Sequence, residues 1–154
     1  MNSRLTVASH ILGMLAFFER EKKPPATSEE LADSLGTNPV VVRRVLSDLK
    51  AAGLVDSKRG PGGGSVLARD PRQITLRQAY DAVCVEGEQL LGRYPGDVGP
   101  ACQVAPVIAQ YLDELFQEAE EALVRRLGQV TVDEMSREIV SRLQRRLPRR
   151  RSNE

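Results

Sequence analysis

Tryptophan is absent from this 154-residue chain and aromatic residues make up only 4% of it, so its core has to be assembled from Leu, Val, Ile and Ala. Cysteine occurs twice, at Cys84 and Cys102, which is too few for a disulfide framework and lacks the paired spacing of a zinc site. Both are expected as reduced thiols. The single histidine, His10, has no second histidine or acid at metal-ligand spacing and reads as a partly buried structural residue. No metal cluster, no nucleophile–base–acid set and no Walker-type phosphate loop can be traced, so the chain is not expected to be an enzyme. Long hydrophobic runs are missing too. The N-terminal apolar stretch is too short to span a bilayer and is followed by charges without a small-residue cleavage site, which predicts a cytoplasmic protein with no signal peptide and no membrane partner. Nor is there an excess of one charge: with a net charge of +1, only the placement of basic residues can argue for nucleic acid.

What is present is a succession of capped amphipathic segments. From Arg4 to Glu21, Leu5, Ala8, Leu12, Leu15 and Phe18 recur at helical spacing until Pro24 and Pro25. Thr27 to Gly36 opens with capping hydroxyls and acids and closes on glycine, a short second helix. Asn38-Pro39 then supplies a cap and a first-turn proline for a third helix running to about Ala52, with Val42, Val45, Leu46 and Leu49 on one side. Two helices joined by Gly36-Thr37-Asn38 have the turn chemistry of a helix-turn-helix, although an ordinary helical hairpin shares it.

Two short strands follow at once, Leu54–Lys58 and Ser65–Arg69, around the tip Arg59-Gly60-Pro61-Gly62-Gly63-Gly64. A helix-turn-helix followed by a basic hairpin is a winged helix: the third helix enters the major groove and the hairpin reaches the backbone or minor groove. Asn38, Pro39, Val40, Val41, Arg43 and Arg44 occupy the end of the third helix that faces base edges, where Arg can pair bidentately with guanine and a Val methyl can touch thymine. Lys58, Arg59 and the tip through Ser65 complete the candidate DNA surface, Arg59 being placed to enter a narrow minor groove. Ser28, beside the N-terminus of the second helix, suits a phosphate.

The rest of the chain is helical. A fourth helix begins near Thr75, with Leu76, Ala79, Tyr80 and Val83 on its apolar side, and residues 87–100 read as a loop. The longest helix is expected from Ala101 to Leu127, about 40 Å at the α-helical rise. Along it Ile108, Leu112, Leu115, Ala119 and Ala122, widened by Tyr111 and Phe116, form a stripe suited to a partner chain or, in the alternative, to packing within one chain. A short last helix starts at Thr131-Val132-Asp133-Glu134, and the arginine run Arg142, Arg145, Arg146, Arg149, Arg150 and Arg151 reads as a disordered basic tail. Cys102 would sit in the first turn of the long helix, where the dipole favours a reactive thiolate; Cys84 would end the fourth helix and could equally belong to the core. The two are candidate redox sensors. The organisation is thus a winged helix-turn-helix region over 1–86, a loop over 87–100, a helical association region over 101–147 and a tail over 148–154.

These residues carry a resemblance. Asn2-Ser3-Arg4-Leu5 with His10-Ile11-Leu12, then Thr37 through Arg44, Ala52-Gly53-Leu54-Val55 and above all Arg59-Gly60-Pro61-Gly62-Gly63-Gly64 resemble the Rrf2-type bacterial winged-helix regulators, the family of IscR, NsrR and CymR, and within it the branch of YwnA. The resemblance implies a mainly α fold, a double-stranded DNA operator as partner, and a homodimer in which the long helix crosses its equivalent. Cluster-bearing members place three cysteines between the fourth helix and the long one. Here only Cys102 matches, so the expectation is a cluster-free homodimeric repressor that answers an unknown inducer, either a small molecule or a redox signal. An iron–sulfur sensor and a regulatory module that binds a metabolic enzyme are the alternatives.

Overall fold

The computed structural model describes residues 3–84, 91, 96, 99 and 101–146. Its elements run α1 (Ser3–Arg20), α2 (Ser28–Leu35), α3 (Pro39–Ala51), β1 (Val55–Lys58), β2 (Gly64–Leu67), α4 (Leu76–Val83), α5 (Ala105–Gly128) and α6 (Val132–Arg146), with a single 3-10 turn at Pro71–Gln73. This is a winged helix followed by a long and a medium helix. The expected tail residues 148–154 and most of the expected loop 87–100 lie outside the described residues.

α1 is the central helix of the core: Ala8, Ile11 and Leu12 are fully enclosed, and Leu31, Val42, Val45, Leu49, Leu54 and Val83 close around them. Aliphatic side chains therefore fill the core that the missing aromatics left to them. α2 starts with a complete capping box, in which Glu30 N–H donates to Thr27 Oγ1 at 3.2 Å and Thr27 N–H donates to the Glu30 carboxylate at 2.8 Å. At the start of α3, the Asn38 side chain accepts from Val40 N–H at 2.8 Å. A further tie crosses the bundle, where Arg4 at the start of α1 pairs with Asp48 on α3.

β1 and β2 pair antiparallel with Val55 opposite Leu67 and Lys58 opposite Gly64. Both are shorter than expected. Leu54 sits in the turn after α3, its N–H bonded back to Leu49 O at 2.9 Å while its O accepts from Ala68 N–H at 3.1 Å, and the Arg69 side chain donates to Gly53 O at 3.2 Å. A third strand fragment, not foreseen, joins at Ala26, which bridges to Ser65.

Three expectations about the C-terminal half need correction. α5 begins at Ala105, with Pro106 in its first turn, rather than at Ala101. Cys102 therefore precedes the helix, donating its N–H to Gly99 O at 3.1 Å, and the helix-dipole argument for its reactivity does not apply. The last helix is also longer than expected. Its 15 residues take in Arg142, Arg145 and Arg146, which are not tail: Glu138 holds Arg142 at 2.7 Å and Arg145 at 3.5 Å. Finally, α6 does not stay with α5 but packs back onto α1, where a Cβ on Gly13 would stand 3.0 Å from Met135 Cε and Arg20 pairs with Asp133 at 3.1 Å. The link between α5 and α6 is stitched to the segment after the wing, with Leu76 N–H on Val130 O at 3.0 Å and Val132 N–H on Ile74 O at 2.8 Å.

Candidate nucleic-acid interface

The first turn of α3 displays two large apolar side chains to solvent, Val40 at 60% exposure and Val41 at 43%, while Val42 directly behind them is fully buried. Burying either would be favourable in a free domain, so their exposure at a helix N-terminus beside Arg43 and Arg44 suits contact with base edges. Asn38, Arg43 and Arg44 are exposed and Pro39 is half-buried. The sequence thus placed this group on one accessible end of one helix, and the fold keeps it there.

Arg43 and Arg44 differ in their surroundings. Arg43 reaches back across the turn to α2, donating from Nε to Ser28 Oγ at 3.2 Å and from Nη2 to the Glu29 carboxylate at 2.5 Å. Arg44 has no ion-pair partner among the described residues. Glu29 is held below the usual carboxylate range, first by a hydrogen bond from its own backbone N–H and then by the Arg43 guanidinium. Ser28, expected at a phosphate, instead has its hydroxyl between Arg43 and Glu29, to which it donates at 3.2 Å. Its link to the candidate surface is therefore through Arg43.

The wing projects Lys58, Arg59, Gly60, Pro61 and Gly62 into solvent, with Gly63 and Gly64 half-buried beneath them. The tip is closed by Gly63 N–H on Gly60 O at 2.9 Å. Glycine at two positions is dictated by close approach: a Cβ on Gly63 would stand 2.3 Å from Lys58 O, and one on Gly64 would stand 2.6 Å from Ala26 O. Ser65 is the exception among the expected contact residues. It is 8% exposed, with its backbone paired to Ala26 at the base of the wing, so contrary to expectation it lies beneath the candidate contact surface and supports the hairpin.

Two features were missed. Lys22 and Lys23, at the end of α1, line a groove with Lys58 and Arg69, adding positive charge at the wing base. Lys23 is steadied over the rings of Phe17 and Phe18, at 5.0 and 5.2 Å from their centroids. Glu29 was missed as well; its position in a first helical turn explains it locally as a dipole partner, and nothing local signals Arg43.

The expected association stripe on α5 splits into two. Ile108 (45% exposed), Tyr111 (64%) and Leu115 (43%) lie open with Val104, Val107 and Leu123, and Ala119 and Ala122 are exposed on the same helix. Leu112 and Phe116 are half-buried and share the i, i+4 row of Glu120 and Val124, which line a groove with Tyr80 and Arg77 of α4. The second row is thus less exposed than the first, and its C-terminal part faces α4. His10 accepts or donates through Nε2 to Ser34 Oγ at 2.9 Å, and burial lowers its basicity.

Comparison with known proteins gives the family and the fold. The family described as Rrf2, iron-dependent transcriptional regulator, matches residues 1–138. The HTH-type transcriptional regulator YwnA of Bacillus subtilis is 39% identical over 128 residues, covering 83% of this chain and 90% of that protein. Among solved structures, IscR of T. potens superposes with a TM-score of 0.68 at 17% identity, covering 97% of this chain and 92% of that one. CymR (YrzC), the global cysteine regulator of B. subtilis, superposes with a TM-score of 0.64 at 23% identity, covering 90% and 96%. At such identities the two structures speak for the fold.

The family description raises iron, and the donor set here does not fit a cluster. Iron–sulfur clusters are held by Cys thiolates, four in the usual case, whereas this chain has two cysteines. Cys84 packs against the core at the end of α4 and Cys102 is exposed ahead of α5. Among the described residues, no group of three or more His, Cys, Asp or Glu is gathered for a metal ion.

Proposed function

The chain belongs to the Rrf2 family and is a DNA-binding transcriptional regulator, and we propose from that premise that it acts as a homodimeric, cluster-free repressor whose α3 and wing read an operator. The observation that carries the reading is the exposed first turn of α3, where Val40 and Val41 stand open beside Arg43 and Arg44. Such a turn in the major groove presents two thymine-methyl contacts and two guanidinium groups, and Arg59 on the wing reaches the adjoining narrow groove.

The dimer is supported by the open stripe of Ile108, Tyr111 and Leu115 on α5, large apolar side chains with no cover among the described residues. A twofold dimer of winged helices binds two half-sites about one helical turn apart, roughly 34 Å. The operator is accordingly a short inverted repeat.

Neither cysteine lies on α3 or the wing, so DNA binding itself requires no thiol. The signal is a small molecule or a thiol oxidation, and the protein carries no catalytic role. No helix among the described residues is long and apolar enough to cross a membrane.

Selection of duplexes from a random DNA pool, followed by titration at two salt concentrations, tests the reading. A recovered inverted repeat bound far more tightly than unselected DNA, with affinity falling as salt rises, is expected. Recovery of no common sequence would remove operator recognition from this protein.

A further inference from the structure

Arg43 is the one arginine of the α3 end that is engaged before DNA arrives, and the way it is engaged is specific. A guanidinium has five N–H groups in a fixed planar fork. Here the Nε–H goes to Ser28 Oγ and one Nη2–H goes to the Glu29 carboxylate. Both contacts come from the first turn of α2 and use the same edge of the group. The outer edge, formed by Nη1 and the remaining Nη2 hydrogen, is left for a second planar acceptor pair.

Glu29 complements the dipole at the start of α2, yet on this surface it also carries a cost. The first helix of a helix-turn-helix lies across the DNA backbone, where a carboxylate meets phosphate repulsion. The ion pair is no substantial source of stability either. Both partners are more than half exposed, 56% for Arg43 and 60% for Glu29 in their side chains, and exposed pairs of this kind contribute little to folding. What the pair does is fix a long, flexible side chain in one orientation, with its free edge ready for the O6 and N7 acceptors of guanine.

We propose that Glu29 is a positioning residue for base recognition: together with Ser28 it holds Arg43 in the geometry that reads guanine, and so raises sequence discrimination while lowering affinity for DNA of any sequence. The proposal rests on the operator reading above. It separates two effects that usually move together. Removing a carboxylate from a phosphate-facing surface raises affinity for DNA of any sequence, while releasing Arg43 from its buttress lowers preference for the correct base.

The test uses the full-length protein and the duplex selected by the wild type from a random pool, with a scrambled duplex of the same length as the non-specific probe. In Glu29→Gln, binding to the scrambled duplex is expected to strengthen, and the ratio of selected to scrambled affinity is expected to fall about tenfold, the size of a coupled pair. The same substitution in an Arg43→Ala background should leave the ratio where Arg43→Ala alone puts it. Glu29→Asp, which keeps the charge on a shorter stem, should fall between the wild type and Glu29→Gln. Thermal melting checks that each variant is folded, which a surface position makes the expected result. An unchanged ratio in Glu29→Gln, or an equal fall whether or not Arg43 is present, overturns the proposal while leaving operator binding intact. Failure of the wild type to select any sequence overturns the operator reading and this proposal with it.

Discussion

Ala26 and Ser65 exchange both of their backbone hydrogen bonds, Ala26 N–H to Ser65 O at 3.1 Å and Ser65 N–H to Ala26 O at 2.7 Å. Ala26 is the last residue but one before α2, so the wing is bolted to the entrance of the helix-turn-helix rather than hanging from α3 alone. The wing and the helix-turn-helix are thereby tied to each other at the entrance of α2.

This junction has no room for a side chain at Gly64. Gly64→Ala would drive a methyl against Ala26 O and separate the bridge, at a cost of about 1–3 kcal/mol of stability. Denaturant unfolding measures the loss, and an unchanged midpoint would show that the bridge is not needed for the wing's position.

Arg59 tests the wing separately from α3. Arg59→Ala is expected to weaken binding most on operators with an A·T-rich, narrow-groove segment under the wing and least on those without one. Titration of a matched pair of duplexes checks this, and an equal loss on both would make Arg59 a phosphate contact.

The open stripe on α5 is tested by Leu115→Glu. Two like charges would be placed near a shared apolar seam, and the dimer is expected to dissociate. Sedimentation measures the outcome, and a dimer persisting at micromolar concentration would place the interface away from Leu115. Leu112 makes the matching control in the other direction: it is half-buried within the chain, and Leu112→Glu should lower the melting temperature of the chain itself.

His10 carries a pH prediction. Its folded-state basicity is lowered below the ordinary value of 6.5 by burial, so the unfolded chain binds more protons in that range. Stability is therefore full above the unfolded value and declines as pH falls below about 6.5, down towards the lowered folded value. His10→Gln, which keeps a hydrogen-bonding partner for Ser34, should flatten that part of the stability–pH curve. A curve of the same slope in both proteins would assign the decline to other groups.

Much of this site can be read from local sequence because local chemistry determines it. Asn38-Pro39 caps α3 and the Thr27 capping box starts α2 wherever the rest of the chain goes, and the glycines of the tip mark a turn on their own. What escaped depends on how elements pack. The Glu29–Arg43 pair joins residues 14 apart in sequence and exists only at the angle between α2 and α3. Ser65 looks like a polar strand residue until Ala26 arrives beside it. The start of α5 is ambiguous in the sequence because Ala101, Cys102, Gln103 and Val104 are all compatible with a helix, and only Pro106 marks its first turn. α6 was read as short since its arginines resemble a tail, but Glu138 pairs with Arg142 at helical spacing.

Base reading by α3 from the major groove is measured most directly by methylation protection of guanine N7 on the selected duplex. The wild type is expected to protect guanines at two symmetric positions about one helical turn apart. Arg43→Ala is expected to expose one guanine per half-site while protection elsewhere persists, with a loss of roughly 1–3 kcal/mol in operator affinity. Protection that is absent in the wild type, or identical in the wild type and Arg43→Ala, would contradict base reading by α3.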